Sequence, residues 1–266
     1  MIIIDAHQHL GNMPINPQAT EPLDLKRNLA KRIGFMDRFG IDQAIMLPSN
    51  AQAAPRGAED RARANDMIAE YIARAPGRLI AGLGTVHPAD GDLALEEVVR
   101  CVRDLGLRGI VWHHRFLGVR IDHPGMHAIL DLLAELRVPA FVHVIAESQL
   151  ESPWRLEGVA EAHPDVQFVA LDGFSSADHA GWMFQIARRR ANIHFDTGVA
   201  TSVGHKFREF IEELGPDRLL LGTDLYCEPE LFAAPFPLLE IRDHLDLSEH
   251  VKAQVLGGNI SRLLAL

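Results

Sequence analysis

Short apolar runs alternate with helical segments along the whole of this 266-residue chain, and that alternation limits the possible folds more than any other feature. The runs fall at residues 2–9, 43–47, 79–86, 108–112, 140–144, 167–171, 193–196 and 219–224. Residues 25–39, 59–74, 93–105, 154–162, 179–190 and 206–214 have helical spacing. Met126, Ile129, Leu130, Leu133 and Leu136 add an apolar stripe at helical intervals between the fourth and fifth runs. Strands that each lead into a helix pair in parallel through crossovers, and eight of them close into a barrel. An open doubly wound sheet is the competing architecture, but no GxGxxG turn follows any strand. The chain is therefore predicted to be one α/β domain over residues 1–266, a (β/α)8 TIM barrel. The loop at 48–58, rich in Ala, Pro and Gln, either covers the barrel mouth or simply connects two elements.

Composition excludes several function classes. The net charge of −10 opposes general affinity for nucleic acid or anionic membranes. No apolar run approaches the roughly 20 residues that span a bilayer. The first residues lack the basic segment of a signal peptide. Cys101 and Cys227 form no CxxC pair, so a reducing, cytoplasmic setting is expected, without a disulfide framework. A homo-oligomer is compatible with all of this.

A barrel of this kind carries its active site at the C-terminal ends of its strands, so the polar residues there are the candidates. Strand one ends in His7-Gln8-His9, strand three runs into His87, strand four into His113-His114-Arg115, and strand five holds His143. Strand six ends in Asp172, strand seven in Asp196 and strand eight in Thr223-Asp224. A His-x-His pair in a strand presents two imidazoles on one face, where both can reach one metal. In a chain with 14 histidines that pair is weak evidence alone. His143 and Asp224, at ends that converge on the same axis, strengthen it. Imidazole and carboxylate suit zinc or a neighbouring first-row dication such as manganese. The competing reading, histidines buried in a barrel interior, requires a hydrogen-bond partner for each.

The stretch Ile4-Asp5-Ala6-His7-Gln8-His9 resembles the opening of the amidohydrolase superfamily. More narrowly, the chain is similar to the group holding aminocarboxymuconate-semialdehyde decarboxylase, related aromatic-acid decarboxylases and 2-pyrone-4,6-dicarboxylate lactonase. Residues 137–143, 192–197, 218–224 and 256–264 resemble that group's fifth, seventh and eighth strands and closing helix, in order. The resemblance implies a barrel of the metal-dependent hydrolase type. It also implies one divalent metal, zinc first and manganese or another first-row ion next, held by His7, His9, His143 and Asp224. The group usually has a histidine at the end of strand six, where this chain has Asp172. Strand four carries no lysine that could bridge two metals, which favours a one-metal site.

Asp172 reads as a general base, as an orienter of a ligating histidine, or as an acceptor for the following turn. His114 and His87 are substrate-contact candidates; His113 and His114 point to opposite faces if the strand persists. Arg115 and Arg120 lie where a barrel presents specificity residues, and a guanidinium grips a carboxylate through two hydrogen bonds. Arg115 is therefore assigned to an organic-acid substrate, against the alternative that both arginines pair with surface carboxylates. Three functions follow. The first is hydrolysis of a small ester, lactone or amide by a metal-activated water, with Asp224 or Asp172 taking its proton. The second is non-oxidative decarboxylation of a small unsaturated or aromatic acid at the same metal. The third is a catalytically silent barrel that binds a metabolite. An aspartate in place of histidine makes a proton donor harder to supply, which tilts the sequence reading toward hydrolysis.

Overall fold

The computed structural model describes residues 1–11, 23–49, 54–200, 202–228 and 230–266, so part of the 48–58 loop, residues 50–53, lies outside the described residues. Eight parallel strands are present: β1 (Ile4–Leu10), β2 (Gln43–Pro48), β3 (Leu79–Gly82), β4 (Ile110–Trp112), β5 (Ala140–His143), β6 (Phe168–Leu171), β7 (Ile193–Asp196) and β8 (Leu219–Leu220). They form ladders β1-β2-β3 and β4-β5-β6-β7-β8. Backbone bonds bridge both gaps. Gly84 donates to Gly109 O at 2.9 Å and Val111 donates to Gly84 O at 2.8 Å. On the other seam, Ala6 donates to Leu221 O at 2.8 Å and His9 to Leu225 O at 2.9 Å. The sheet is thus closed, and the architecture is the expected (β/α)8 barrel.

The helices follow the predicted alternation: α1 (Leu25–Phe39), α2 (Ala58–Ala73), α3 (Asp92–Arg103), a single turn α4 (His114–Leu117), α5 (Pro124–Leu136), α6 (Pro153–Ala162), α7 (Ala177–Arg189) and α8 (Gly204–Leu214). Local chemistry sets their ends. The Asp24 carboxylate accepts from the Lys26 and Arg27 N–H groups to start α1, and Gly40, at φ 72°, stops it. Beyond β8, β9 (Tyr226–Cys227) and β10 (Glu230–Leu231) pair antiparallel over the strand ends. No helix among the described residues is long and apolar enough to cross a membrane.

Two apolar layers divide the side chains by strand parity. Ile4, Ala6, Ile45, Leu47, Ala81, Leu83, Val111, Phe141, Val169, Leu171 and Leu220 fill the barrel interior, and Ile260 and Leu264 of the closing helix pack against them. Their neighbours in sequence, such as Ala44, Met46, Ile110, Trp112, Val142 and Phe168, pack outward under the helices. Strand β1 breaks parity once. Its register against β2 shifts between Asp5 and Gln8, a bulge. Ala6 and His7 therefore both face inward, Gln8 faces α1, and His9 faces inward again. A bulge that re-aims side chains beside a site is a recurrent device of barrel rims.

Candidate metal centre

His7 and His9 reach the barrel axis from β1, His143 from the end of β5 and Asp224 from the segment after β8. Their ring centroids lie 4.9 Å (His7–His9), 5.2 Å (His7–His143) and 5.4 Å (His9–His143) apart. Asp224 Oδ1 stands 3.3 Å from His7 Nε2 and 3.2 Å from His9 Nε2. All four residues are buried. The structure thus brings together the four residues nominated as ligands.

Ring orientation shows which nitrogens are available. His7 Nδ1 faces Asp196 Oδ2 at 2.7 Å, His9 Nδ1 faces Pro48 O at 3.2 Å, and His143 Nδ1 faces Trp112 O at 2.8 Å. A carbonyl or carboxylate oxygen only accepts, so each Nδ1 carries the proton and donates. The Nε2 lone pairs are left facing one another. His7 Nε2 and His9 Nε2 are 2.9 Å apart, and His143 Nε2 is buried with no hydrogen-bond partner. Bare lone pairs at this distance repel, so a metal cation or a shared proton lies between them, and a second-atom hydrogen bond is what orients metal-ligating imidazoles.

The electrostatics agree. Burial opposes charging of His7, yet Asp196, Asp224 and Asp172 outweigh it and raise its pKa to about 10. The site therefore favours a positive charge at its centre. Burial lowers the pKa of His9 and that of His143, leaving both as neutral imidazoles, the form that ligates. Three nitrogens and one carboxylate oxygen fit one divalent first-row cation.

Asp172 and Asp224 both adopt left-handed backbone, at φ 64° and φ 60°. Aspartate tolerates this region better than most residues, and such strain concentrates at functional sites. The Asp172 N–H donates to Asp196 Oδ1 at 2.8 Å, while its own Oδ1 has no hydrogen-bond partner and lies 3.8 Å from His7 Nδ1. Burial, then the nearby Asp224 carboxylate, hold the Asp172 carboxyl well above the usual carboxylate range. Gly198 permits this crowding: a Cβ there would lie 2.7 Å from Asp172 Oδ1 and 2.8 Å from His7 Nδ1.

The centre opens into a cleft of about 230 Å³ lined by His9, His113, Arg115, His143, Asp172, Ser175, Val199, Asp224, Tyr226 and Phe232, among others. Arg115 is there as expected. Arg120 is not; it pairs with Asp122 at 3.2 Å. His114 and His87, the substrate-contact candidates, do not line this cleft. Parity on β4 points Val111 and His113 inward, whereas His114 is buried in the outer layer beside Trp112. His87 caps the turn at Pro88–Asp90, accepting from Ala89 N–H, and its Nε2 meets Leu117 O at 3.0 Å.

In their place stands His113, stacked on His143 at 4.2 Å with the rings 3° from parallel. Its Nδ1 meets Glu151 Oε1 at 2.5 Å, and that oxygen also accepts from the Arg115 N–H at 3.0 Å. Glu151 is fully buried, and neither it nor Asp196 receives a role from the sequence reading. A carboxylate in the loop after a strand carries no local pattern, so only the fold reveals it. Tyr226 stacks on His9 at 4.6 Å and closes the rim.

A closed (β/α)8 barrel with a histidine–aspartate cation site at its strand ends defines an amidohydrolase-type protein. The amidohydrolase family model matches residues 4–266, and the chain belongs to that family of enzymes. Among its relatives is a gamma-resorcylate decarboxylase from Rhizobium sp. strain MTP-10005, 42% identical over 247 residues that cover 73% of this chain and 75% of that protein. A 2-amino-3-carboxymuconate-6-semialdehyde decarboxylase from Dictyostelium discoideum is 31% identical over 259 residues, covering 80% of this chain and 69% of that one. Among solved structures, the dihydroxybenzoic acid decarboxylase of Polaromonas sp. JS666, with bound manganese and the inhibitor 2-nitroresorcinol, superimposes with a TM-score of 0.74. That match covers 100% of this chain and 97% of the other at 21% identity, and it speaks for the fold.

Proposed function

We propose that this chain is a metal-dependent, non-oxidative decarboxylase of a small aromatic or unsaturated carboxylic acid. The observation that carries the reading is the setting of the imidazole cluster: an arginine that can hold a carboxylate at the mouth, and a buried acid, Asp172, beside the ligands. Relatives named as decarboxylases support it. A cleft of about 230 Å³ suits a single-ring acid, since clefts for drug-sized ligands run from roughly 300 Å³ upward.

His7, His9, His143 and Asp224 would hold the cation. Bound there, it supplies a Lewis acid that neutralises the substrate's oxygens and stabilises charge developing on the neighbouring carbon. Zinc and manganese both suit this donor set, and manganese is the ion in the Polaromonas enzyme. Arg115 takes the substrate carboxylate through its guanidinium. Tyr226 and Phe232 shield the ring from water. The bond between carboxylate and ring carbon breaks, its electron pair stays on the carbon, and carbon dioxide leaves. Asp172 then gives its proton to that carbon and is reprotonated from solvent.

Hydrolysis, the reading that the sequence favours, needs Asp224 or Asp172 to take the proton of a metal-activated water. Burial and the neighbouring Asp224 carboxylate, which raise the Asp172 pKa, favour Asp172 as a proton donor over a proton acceptor. The test is release of carbon dioxide from a panel of hydroxylated benzoates and muconate-like acids by protein loaded with manganese or zinc, with metal content measured by elemental analysis. Wild-type protein should release carbon dioxide, and His9→Ala should lose metal and activity together. Turnover of lactones or esters without carbon dioxide would return the chain to the hydrolases. No turnover of any acid or ester would leave a silent binding barrel.

A further inference from the structure

Ser175 lies in the turn after β6 and lines the cleft beside Asp172. Its Oγ is 2.7 Å from Nδ1 of His179, on the first turn of α7. His179 is fully buried, and its other ring nitrogen, Nε2, is buried without a hydrogen-bond partner. A buried imidazole with one orphaned nitrogen calls for an explanation. Neither residue is used in the steps above.

We propose that Ser175 is a specificity-determining residue that donates its hydroxyl hydrogen to a second oxygen of the substrate, and that His179 is the positioning residue that frees that hydrogen. The inference rests on the decarboxylase reading and deepens it: the substrate is an acid with a further acceptor oxygen on its ring or chain, in addition to the carboxylate taken by Arg115.

The argument turns on the tautomer of His179. Burial keeps this imidazole neutral, with its pKa lowered to about 4, so it carries one ring proton at neutral pH. A neutral imidazole has one donor and one acceptor nitrogen. With the proton on Nε2, a buried N–H would be left without an acceptor. With the proton on Nδ1, the orphan is only a lone pair, and buried orphan donors are rarer than under-satisfied acceptors. The second arrangement makes Nδ1–H donate to Ser175 Oγ. The Ser175 O–H is then free to donate elsewhere, and Ser175 lines the cleft. Ser175 follows β6 and Arg115 follows β4, on either side of His143 on β5, so the two grips approach a bound acid from different sides.

Binding of 2,6-dihydroxybenzoate and of benzoate to the manganese-loaded protein, measured by calorimetry, tests this independently of turnover. Wild type should bind the dihydroxy acid more tightly. Ser175→Ala should weaken the dihydroxy acid about 10-fold, equal to about 1.4 kcal/mol, and benzoate less than about twofold. Ser175→Thr should restore the preference. His179→Leu, which has no donor, should reproduce the selective loss, and His179→Asn, whose amide N–H can replace Nδ1–H, should rescue it. Equal weakening of both acids, no change for either, or no binding of the dihydroxy acid to wild type would overturn the inference. Carbon dioxide release from the same samples reports separately on decarboxylation. A preference that depends on Ser175 without any carbon dioxide would fail the activity and keep the recognition.

Discussion

His7 Nδ1 sits 2.7 Å from Asp196 Oδ2, with both side chains fully buried. A histidine from the first strand is thus oriented by an aspartate from the seventh, with β8 between the two strands. The other oxygen of the same carboxylate accepts from the Asp172 N–H at 2.8 Å. One side chain therefore fixes a candidate cation ligand and the acid beside it. Asp196→Asn keeps the shape but removes the charge that makes His7 a stronger ligand. Manganese or zinc affinity, measured in competition with a chelator, should fall about 10–100-fold, the usual effect of losing such a partner. An unchanged affinity would reduce Asp196 to a packing role.

Asp172→Asn separates proton transfer from cation binding. The amide retains the volume and the backbone contact to Asp196 but has no acidic proton. Turnover should fall roughly 10²–10⁴-fold, the range of general acid–base catalysis, while metal content stays near that of wild type. Full activity in the Asn variant would assign the proton to another group and leave Asp172 as the acceptor for its own turn, where Ser175 N–H meets its carbonyl at 3.1 Å.

The four candidate cation ligands were legible because a strand-borne His-x-His and the order of strand ends are sequence patterns, and because the family resemblance joins them into one set. The choice between His113 and His114 was not. A strand buried on both faces reads as a continuous apolar run, so parity cannot be taken from the pattern. Here Val111 faces the barrel and Trp112 the helices, and both are apolar and buried. The bulge in β1 was invisible for the same reason: Ala6 and His7 share the interior face although alternation would separate them. Glu151 and Asp196 act through contacts 38 and 189 residues away in sequence, which no local spacing encodes.

Acid should destabilise this protein earlier than its carboxylates alone would dictate. Burial is the first cause in each of three histidines outside the cation site, lowering His114 to about 3 and His179 and His194 to about 4. Unfolded, each titrates near 6.5. Between those values the unfolded chain binds protons that the folded one refuses, so stability present above pH 6.5 is lost as pH falls toward 4. Near pH 5 the three together correspond to a slope of roughly 3–4 kcal/mol per pH unit. The thermal midpoint should drop steadily from pH 7 to pH 5, and His179→Asn should make the decline shallower. A midpoint that holds constant over that interval would contradict the assignment.

Arg115 is the remaining candidate whose role a kinetic split can decide. Its guanidinium lines the cleft, packs over the Phe116 ring at 4.9 Å, and lies 3.8 Å from Glu151 Oε2, too far for a hydrogen bond. That oxygen is buried and unpartnered, so Arg115 is near a carboxylate without being consumed by it. The side chain is 42% exposed, which leaves its fork free to turn toward an incoming acid. A surface pairing of the kind seen for Arg120 and Asp122 would have satisfied the donors instead. Arg115→Met keeps much of the length and the contact with Phe116 but removes charge and fork together. KM for a carboxylated substrate should rise about 10-fold or more, the scale of one charge-assisted pair at about 1.5–3 kcal/mol. The apparent affinity for the matching methyl ester, measured as an inhibitor, should change little. Turnover at saturating acid should fall less than KM rises, because Asp172 and the ligand set are untouched. A parallel loss for acid and ester would show that Arg115 shapes the cleft without reading the carboxylate.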